Sequence, residues 1–309
     1  MAIFKLEELN YKQIQDLSPE RTLFLIVVSP LEEHAPHLPV GTDVFIADYF
    51  AGQCAMRLSE TRPEWNVVHV GPLYLGAHVF KFTGSVRHSR KAVYDVLLGY
   101  GKAIAEWGFK YVALISAHGG AGHISVLEEA AAKISRKHKI RAISLTGVIA
   151  INFLQGKYLE KVQGALYRRL EGKDLHHLQY DYHAGWWETS MMLMLKPELV
   201  KQDYKEFPPV LLKNPLHLRG NSALKMGQGL GYFGTPSFAD LKLGEASSKV
   251  LIQEGMKILN RFLDGEDVRK ETQSVLYRSM LLRVSLNKYI WGLVVIITVI
   301  LALVLSRAF

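Results

Sequence analysis

Apolar positions along the first two thirds of the chain fall into two alternating patterns. The run TLFLIVVS, Thr22 to Ser29, is almost uninterrupted in its apolar content, as in a strand buried on both faces. WNVVHVGP, KYVALISAHGG and IRAISLTGVI read as further strands. Between them TDVFIADYFAGQCAMRLSE, RKAVYDVLLGYGKAIAEWG and ISVLEEAAAKISRKH repeat their apolar residues at helical spacing. The last is rich in alanine, the best helix former. Strand–helix alternation of this kind predicts an α/β fold with a mostly parallel sheet covered by helices on both faces. No internal repeat or long linker interrupts it, so residues 1–264 read as one domain.

The pattern changes at the C-terminus. Residues 265–287 are expected to form a helical connector, with Val268, Val275, Leu276, Leu282 and Leu286 roughly on one face. The segment YIWGLVVIITVILALVLS, Tyr289 to Ser306, carries no charge. As a helix it would rise about 27 Å, close to the hydrocarbon thickness of a bilayer. Residues 288–307 are therefore expected to be a transmembrane tail anchor in contact with lipid. Lys270, Arg278, Arg283 and Lys288 precede the span and Arg307 follows it, which orients the large domain to the cytoplasm.

Composition alters this picture little. The chain has 309 residues and a formal charge of +8, yet no basic stripe with interleaved aromatics, so nucleic acid is not an expected partner. Its single cysteine, Cys54, excludes an intramolecular disulfide.

The candidate chemistry lies where predicted strands end, the edge at which ligands collect in parallel sheets. The first strand runs into PLEEHAPHLPVGTD, which holds Glu32, His34 and Asp43. Glu32 and His34 are spaced to share one side of an extended backbone. Asp43 also stands where a helix cap is normal. The third strand ends in SAHGG with His118, and DYHAGWWETS carries Asp181, His183 and Glu188. His123 and the pair His176–His177 read as ordinary polar residues, and Trp186 and Trp187 as core or pocket walls.

EEHAPHLPVGTD resembles the signature of the creatininase (creatinine amidohydrolase) family, usually close to E-Q-H-G-P-H-L-P-x-x-T-D. SAHGG is similar to the family's N-G-H-G-G-N, and HAGWWETSMMLMLKPELV to its H-A-G-x-x-E-T-S element with the following helix and P-E-x-V. FTGSV and GYFGTPSFADLKLGEA resemble further family stretches, so the likeness runs in order from Leu6 to Leu263. It implies a three-layer α/β/α domain, a homohexamer, and two divalent ions per subunit, zinc first, with manganese or iron as alternatives. Carried over by position, Glu32, His34, Asp43, His118 and Glu188 become metal ligands. Asp43 bridges, with Glu32 and His118 on one ion and His34 and Glu188 on the other. Such an ion pair can share a bridging hydroxide and polarise a carbonyl. His183 becomes the proton carrier, His78 a residue near substrate, and His37 a support behind the ligands. The implied reaction is hydrolysis of a non-peptide C–N bond in a cyclic amide, amide or formamide of a small molecule. The rival class is a membrane-tethered, metal-containing scaffold without turnover.

The chain departs from the pattern in places. Ala35 replaces a usual Gly, Ala117 and Ala121 depart from the family pattern around HGG, and Gly120 stands where some members carry an acid.

Overall fold

In a computed structural model, the structure describes residues 3–166, 170–178, 180–212, 227–284, 292 and 295–300. Five parallel strands form one sheet: β1 (Ile3–Lys5), β2 (Thr22–Ser29), β3 (Asn66–Tyr74), β4 (Tyr111–Ile115) and β5 (Arg141–Ser144). Their order across the sheet is β1-β3-β2-β4-β5. Every residue of the central strand β2 is buried, which explains its uninterrupted apolar run. Its odd-numbered side chains, Leu23, Leu25 and Val27, enter one core, and Phe24, Ile26 and Val28 enter another on the opposite face.

The helices follow in chain order. After the short α1 (Tyr11–Gln15), α2 (Thr42–Thr61) connects β2 to β3, α3 (Arg90–Glu106) connects β3 to β4, and α4 (Ala121–His138) connects β4 to β5. Beyond β5 come α5 (Gly147–Leu154), α6 (Leu159–Leu166), α7 (Gly172–Leu178), α8 (Trp186–Leu195) and α9 (Leu241–Leu263). Residues of α2, α5, α6 and α9 share the core with Leu23, and residues of α3 and α4 share the other. The sheet is thus covered on both faces. The run read as a single strand, IRAISLTGVI, divides: β5 ends at Ser144, and Gly147 opens α5. The Thr146 hydroxyl accepts the Ser116 N–H at 3.1 Å, which turns the chain there. An apolar run has no period to announce such a break.

Residues 268–284 do not make one helix. They form short turns, α10 (Arg269–Thr272) and α11 (Val275–Arg278), then a 3₁₀ turn at Met280–Leu282. The segment lies along α4. Ser274 donates its N–H and hydroxyl to Glu128 at 3.1 and 2.9 Å, and the Val284 N–H donates to Glu129 at 2.6 Å.

The transmembrane expectation is overturned. Among the described residues, no helix is long and apolar enough to cross a membrane. Within Tyr289–Ser306 the continuous described helix covers residues 295–300. Except for Gly292, the rest of the expected span lies outside the described residues. The membrane location, the lipid contact and the orientation toward the cytoplasm all rested on that span and fall with it.

Candidate metal centre

Three segments meet at the carboxyl end of the sheet. The loop after β2 carries Glu32 and His34 and leads into α2, whose first turn holds Asp43. The loop after β4 carries His118, and the first turn of α8 carries Glu188. The crossover connections of a parallel sheet return every strand end to this edge, so residues far apart in sequence converge there.

They converge as two groups of three. Glu32, Asp43 and His118 offer donor atoms within 4.8 Å of one another, and so do His34, His183 and Glu188; all six residues are buried. His118 Nδ1 lies 2.9 Å from Glu32 Oε2 and 3.1 Å from Asp43 Oδ2. The other Asp43 oxygen, Oδ1, lies 3.5 Å from His34 Nε2, which in turn is 3.6 Å from Glu188 Oε2. Asp43 therefore faces both groups, one oxygen to each. It does not cap α2, whose cap residue is Gly41, with no side-chain bond.

The donors are held from behind. His34 Nδ1 bonds the carbonyl of Glu32 at 3.0 Å, which leaves Nε2 free. The Phe80 N–H donates to Glu32 Oε1 at 2.6 Å, and the Ala184 N–H to Glu188 Oε2 at 2.5 Å. His37 Nε2 bonds the Thr189 hydroxyl at 2.8 Å and so ties the β2 loop to the residue next to Glu188. Ala35, at φ +56, adopts the left-handed conformation that a glycine tolerates better.

Burial and charge compete here. Burial opposes the charged His118 imidazole, but the Glu32 and Asp43 carboxylates outweigh it and raise its pKa to about 10. For His34, burial is likewise overcome by Glu188 and Asp43, and its pKa stands well above the ordinary value. Burial would raise Asp43, yet the imidazoles of His34 and His118 hold it well below the carboxylate range.

The centre fits cations on its own geometry. Glu32 Oε2, His34 Nε2, Asp43 Oδ1, Asp43 Oδ2 and His118 Nε2 are buried without a hydrogen-bond partner. Unpaired buried polar atoms are costly, and buried carboxylates need cations. Carboxylate oxygen with imidazole nitrogen is a donor set for zinc, manganese or iron.

The structure also places the remaining candidates. His183 Nε2 lies 2.7 Å from the carbonyl oxygen of Glu33, and its ring stands 4.4 Å from that of His34. His78, at φ +64, sits on the exposed rim, and its Nδ1 accepts the Gly122 N–H at 3.1 Å. Burial and the charge of His118 lower its pKa. A Cβ at Gly120 would lie 2.4 Å from His118 Nε2 and 3.0 Å from the His78 carbonyl, so this loop has no room for an acid there. Trp187 lines a cavity beside Glu188, whereas Trp186 is buried in the core.

Two supports escape a reading of sequence. His123 is fully buried and joins three strand ends: Nε2 contacts the Val28 carbonyl and the Ser116 hydroxyl, and Nδ1 accepts the Ala77 N–H. Burial drops its pKa to about 3, so it stays neutral. The Ser116 hydroxyl accepts the His118 N–H at 3.2 Å, which links this network to the metal centre. Asp181 accepts the N–H groups of Trp186 and Trp187 at 2.8 and 2.9 Å and so completes the start of α8. Nothing in the local pattern marks His123. The place of Asp181 just before the helix was a usable signal.

Comparison with known proteins bears on the family and the fold. The family profile described as creatininase, creatinine amidohydrolase, matches residues 7–259. A 3-dehydro-scyllo-inosose hydrolase of Thermotoga maritima is 27% identical over 204 residues, 64% of this chain and 58% of that protein. The chain thus spans under two thirds of that relative's length. A mycofactocin precursor peptide peptidase of Mycobacterium ulcerans is 25% identical over 259 residues, 79% of this chain and 86% of the relative. Among solved structures, a manganese creatininase superposes with a TM-score of 0.62 at 18% identity, covering 88% of this chain and all of its own. A zinc–zinc form of a mutant creatininase gives 0.59 at 17%, covering 89% of this chain and all of its own. At these identities the structural likeness shows the fold alone.

Proposed function

The chain belongs to the creatininase family, hydrolases of carbon–nitrogen amide bonds, and from that membership and the geometry we propose a two-metal amidohydrolase. The observation that carries this reading is Asp43, buried, with its two unpaired oxygens directed to two separate donor groups. Glu32, His118 and one Asp43 oxygen would hold one divalent ion. His34, Glu188 and the other Asp43 oxygen would hold the second. The manganese and zinc–zinc forms of the structural neighbours favour these metals without choosing between them. A pair of such ions supplies Lewis-acid polarisation of a carbonyl and acidifies water.

The protein's own groups supply the rest. Amide cleavage needs a proton delivered to the leaving nitrogen, and imidazole is suited to that near neutral pH. His183 is the proton carrier in this reading. Its Nε2–H donates to the Glu33 carbonyl, which fixes the ring and leaves Nδ1 for the proton. His78 at the rim accepts the Gly122 N–H on Nδ1, so in its neutral form it presents an N–H donor on Nε2 toward an incoming substrate. The mycobacterial relatives are named for peptide cleavage, so amide bonds of either kind replace the narrower non-peptide expectation. Assembly as a homohexamer, on the family's pattern, belongs to the same reading, and light scattering of the purified chain measures it.

The test is turnover of an amide panel with metal analysis beside it. His183→Ala is expected to keep both ions and lose on the order of 10²–10⁴ in rate, the scale of a positioned acid–base group. Because His183 also groups with His34 and Glu188, loss of one ion in the variant would make it a ligand instead. A metal-loaded wild type that turns over no amide would favour a metal-containing scaffold.

A further inference from the structure

A cavity of about 80 Å³ opens beside Glu188, between the end of β4 and helices α2, α5, α8 and α9. Phe50, Cys54, Ile149, Phe153, Trp187 and Leu251 form most of its wall, and no lysine or arginine among the described residues lines it. Several polar groups on the wall already have partners inside the protein, whereas the Trp187 Nε1–H is a buried donor without one. The Thr146 hydroxyl accepts the Ser116 N–H, the Ser116 hydroxyl bonds Ser29 and His123, and the Asp181 carboxylate takes the two N–H groups of α8. Ala117, beside His118, also lines the cavity and adds a methyl to its wall. At the far wall, a Cβ on Gly255 would meet Leu145, Cys54 and Ile149 at 3.8 to 3.9 Å, ordinary contact distances.

Resting on the amidohydrolase reading, we infer that the substrate is an amide with an apolar arm, alkyl or aryl, that lodges in this cavity while the amide sits at the metal centre. Glu188 belongs to both places, since it lines the cavity and stands 3.6 Å from His34 Nε2. A small polar ring would leave the apolar walls unfilled and find no free polar group on Ser116, Thr146 or Asp181. An apolar arm removes those walls from water, and each added methylene that is buried tightens binding about fourfold.

The test uses the metal-loaded full chain and a series of primary amides, acetamide, butanamide, hexanamide and octanamide, with affinity read by titration calorimetry. Affinity is expected to rise about fourfold per methylene until the cavity is full. Gly255→Phe, which fills the far wall, is expected to flatten that dependence and leave acetamide binding unchanged. Ala150→Leu, on another lining residue and with a good helix former, serves the same purpose should the bulkier variant fail to fold. Affinity independent of chain length in the wild type would overturn the inference, as would an unaltered slope in the filled, folded variant. Binding is read without turnover, so the two readings separate. A protein that shows the slope but hydrolyses none of the series keeps the apolar subsite and loses the amidohydrolase assignment.

Discussion

Asp43 decides most at the scale of a single residue. By sequence it could have been an ordinary helix cap. In the fold both of its oxygens are buried, unpaired, and turned to different groups. Asp43→Asn keeps the shape but removes the negative charge and leaves a single acceptor oxygen, because the other becomes an NH₂ donor. The expected outcome is loss of both ions, read by elemental analysis after reconstitution. Retention of one ion would show that the carboxylate does not bridge. Ala35 shows the opposite relation between residue and backbone. The family's usual Gly is explained by a left-handed φ, and this chain holds Ala there at a modest conformational cost.

Helix α8 illustrates the scale of the element. Its cap, Gly185, offers no side-chain acceptor, so Asp181, four residues upstream, receives the N–H groups of Trp186 and Trp187. A Cβ on Gly185 would fall 1.6 Å from Asp181 Oδ1, which is why glycine stands between the acid and the helix. Asp181→Ala strands the buried N–H of Trp186, at about 1–3 kcal/mol when left unsatisfied, and the half-buried N–H of Trp187. Thermal unfolding should therefore occur at a lower temperature. Because α8 carries Glu188, the variant is also expected to bind the second ion more weakly than the first, measured by metal titration. Equal loss at both sites would indicate general unfolding.

On the scale of the whole molecule, the segment after α9 returns across the domain and docks on α4 through two buried acids. Burial pushes the Glu128 carboxyl up to about 7, against the lowering effect of the two Ser274 hydrogen bonds. The folded protein then holds that proton up to near pH 7, whereas the unfolded chain releases it near the ordinary glutamate value of 4.5. Between those values the folded state binds more protons, so stability present below pH 4.5 is lost as pH rises through 7. The ceiling on this contribution is about 3 kcal/mol. Glu128→Gln cannot titrate, and denaturant unfolding at pH 5 and pH 8 should show a smaller fall in stability for the variant than for the wild type. An equal fall in both would assign the pH dependence to other groups.

Much of this protein was legible before any fold was known. The bounds of β2, the helices α2, α3 and α4, and the parallel α/β class follow from hydrophobic period and length, because burial on one face or two imposes that period locally. The convergence of Glu32, His34, Asp43 and His118 was legible too, since a parallel sheet brings those strand ends to one edge whatever the loops between them. Other features depended on the tertiary structure. The division of IRAISLTGVI into strand and helix rests on a hydroxyl bond from Thr146 to a different strand. The role of His123 rests on contacts with Val28, Ala77 and Ser116, which no local pattern relates. The tail shows the limit from the other side. Apolar residues in a row establish that a segment avoids water, but a membrane span also needs a continuous helix of sufficient length, and among the described residues no such helix exists. Hydrophobicity is a property of each residue alone, whereas the pairing of two oxygens of Asp43 with two donor groups is a property of three loops placed together by the packing of a sheet.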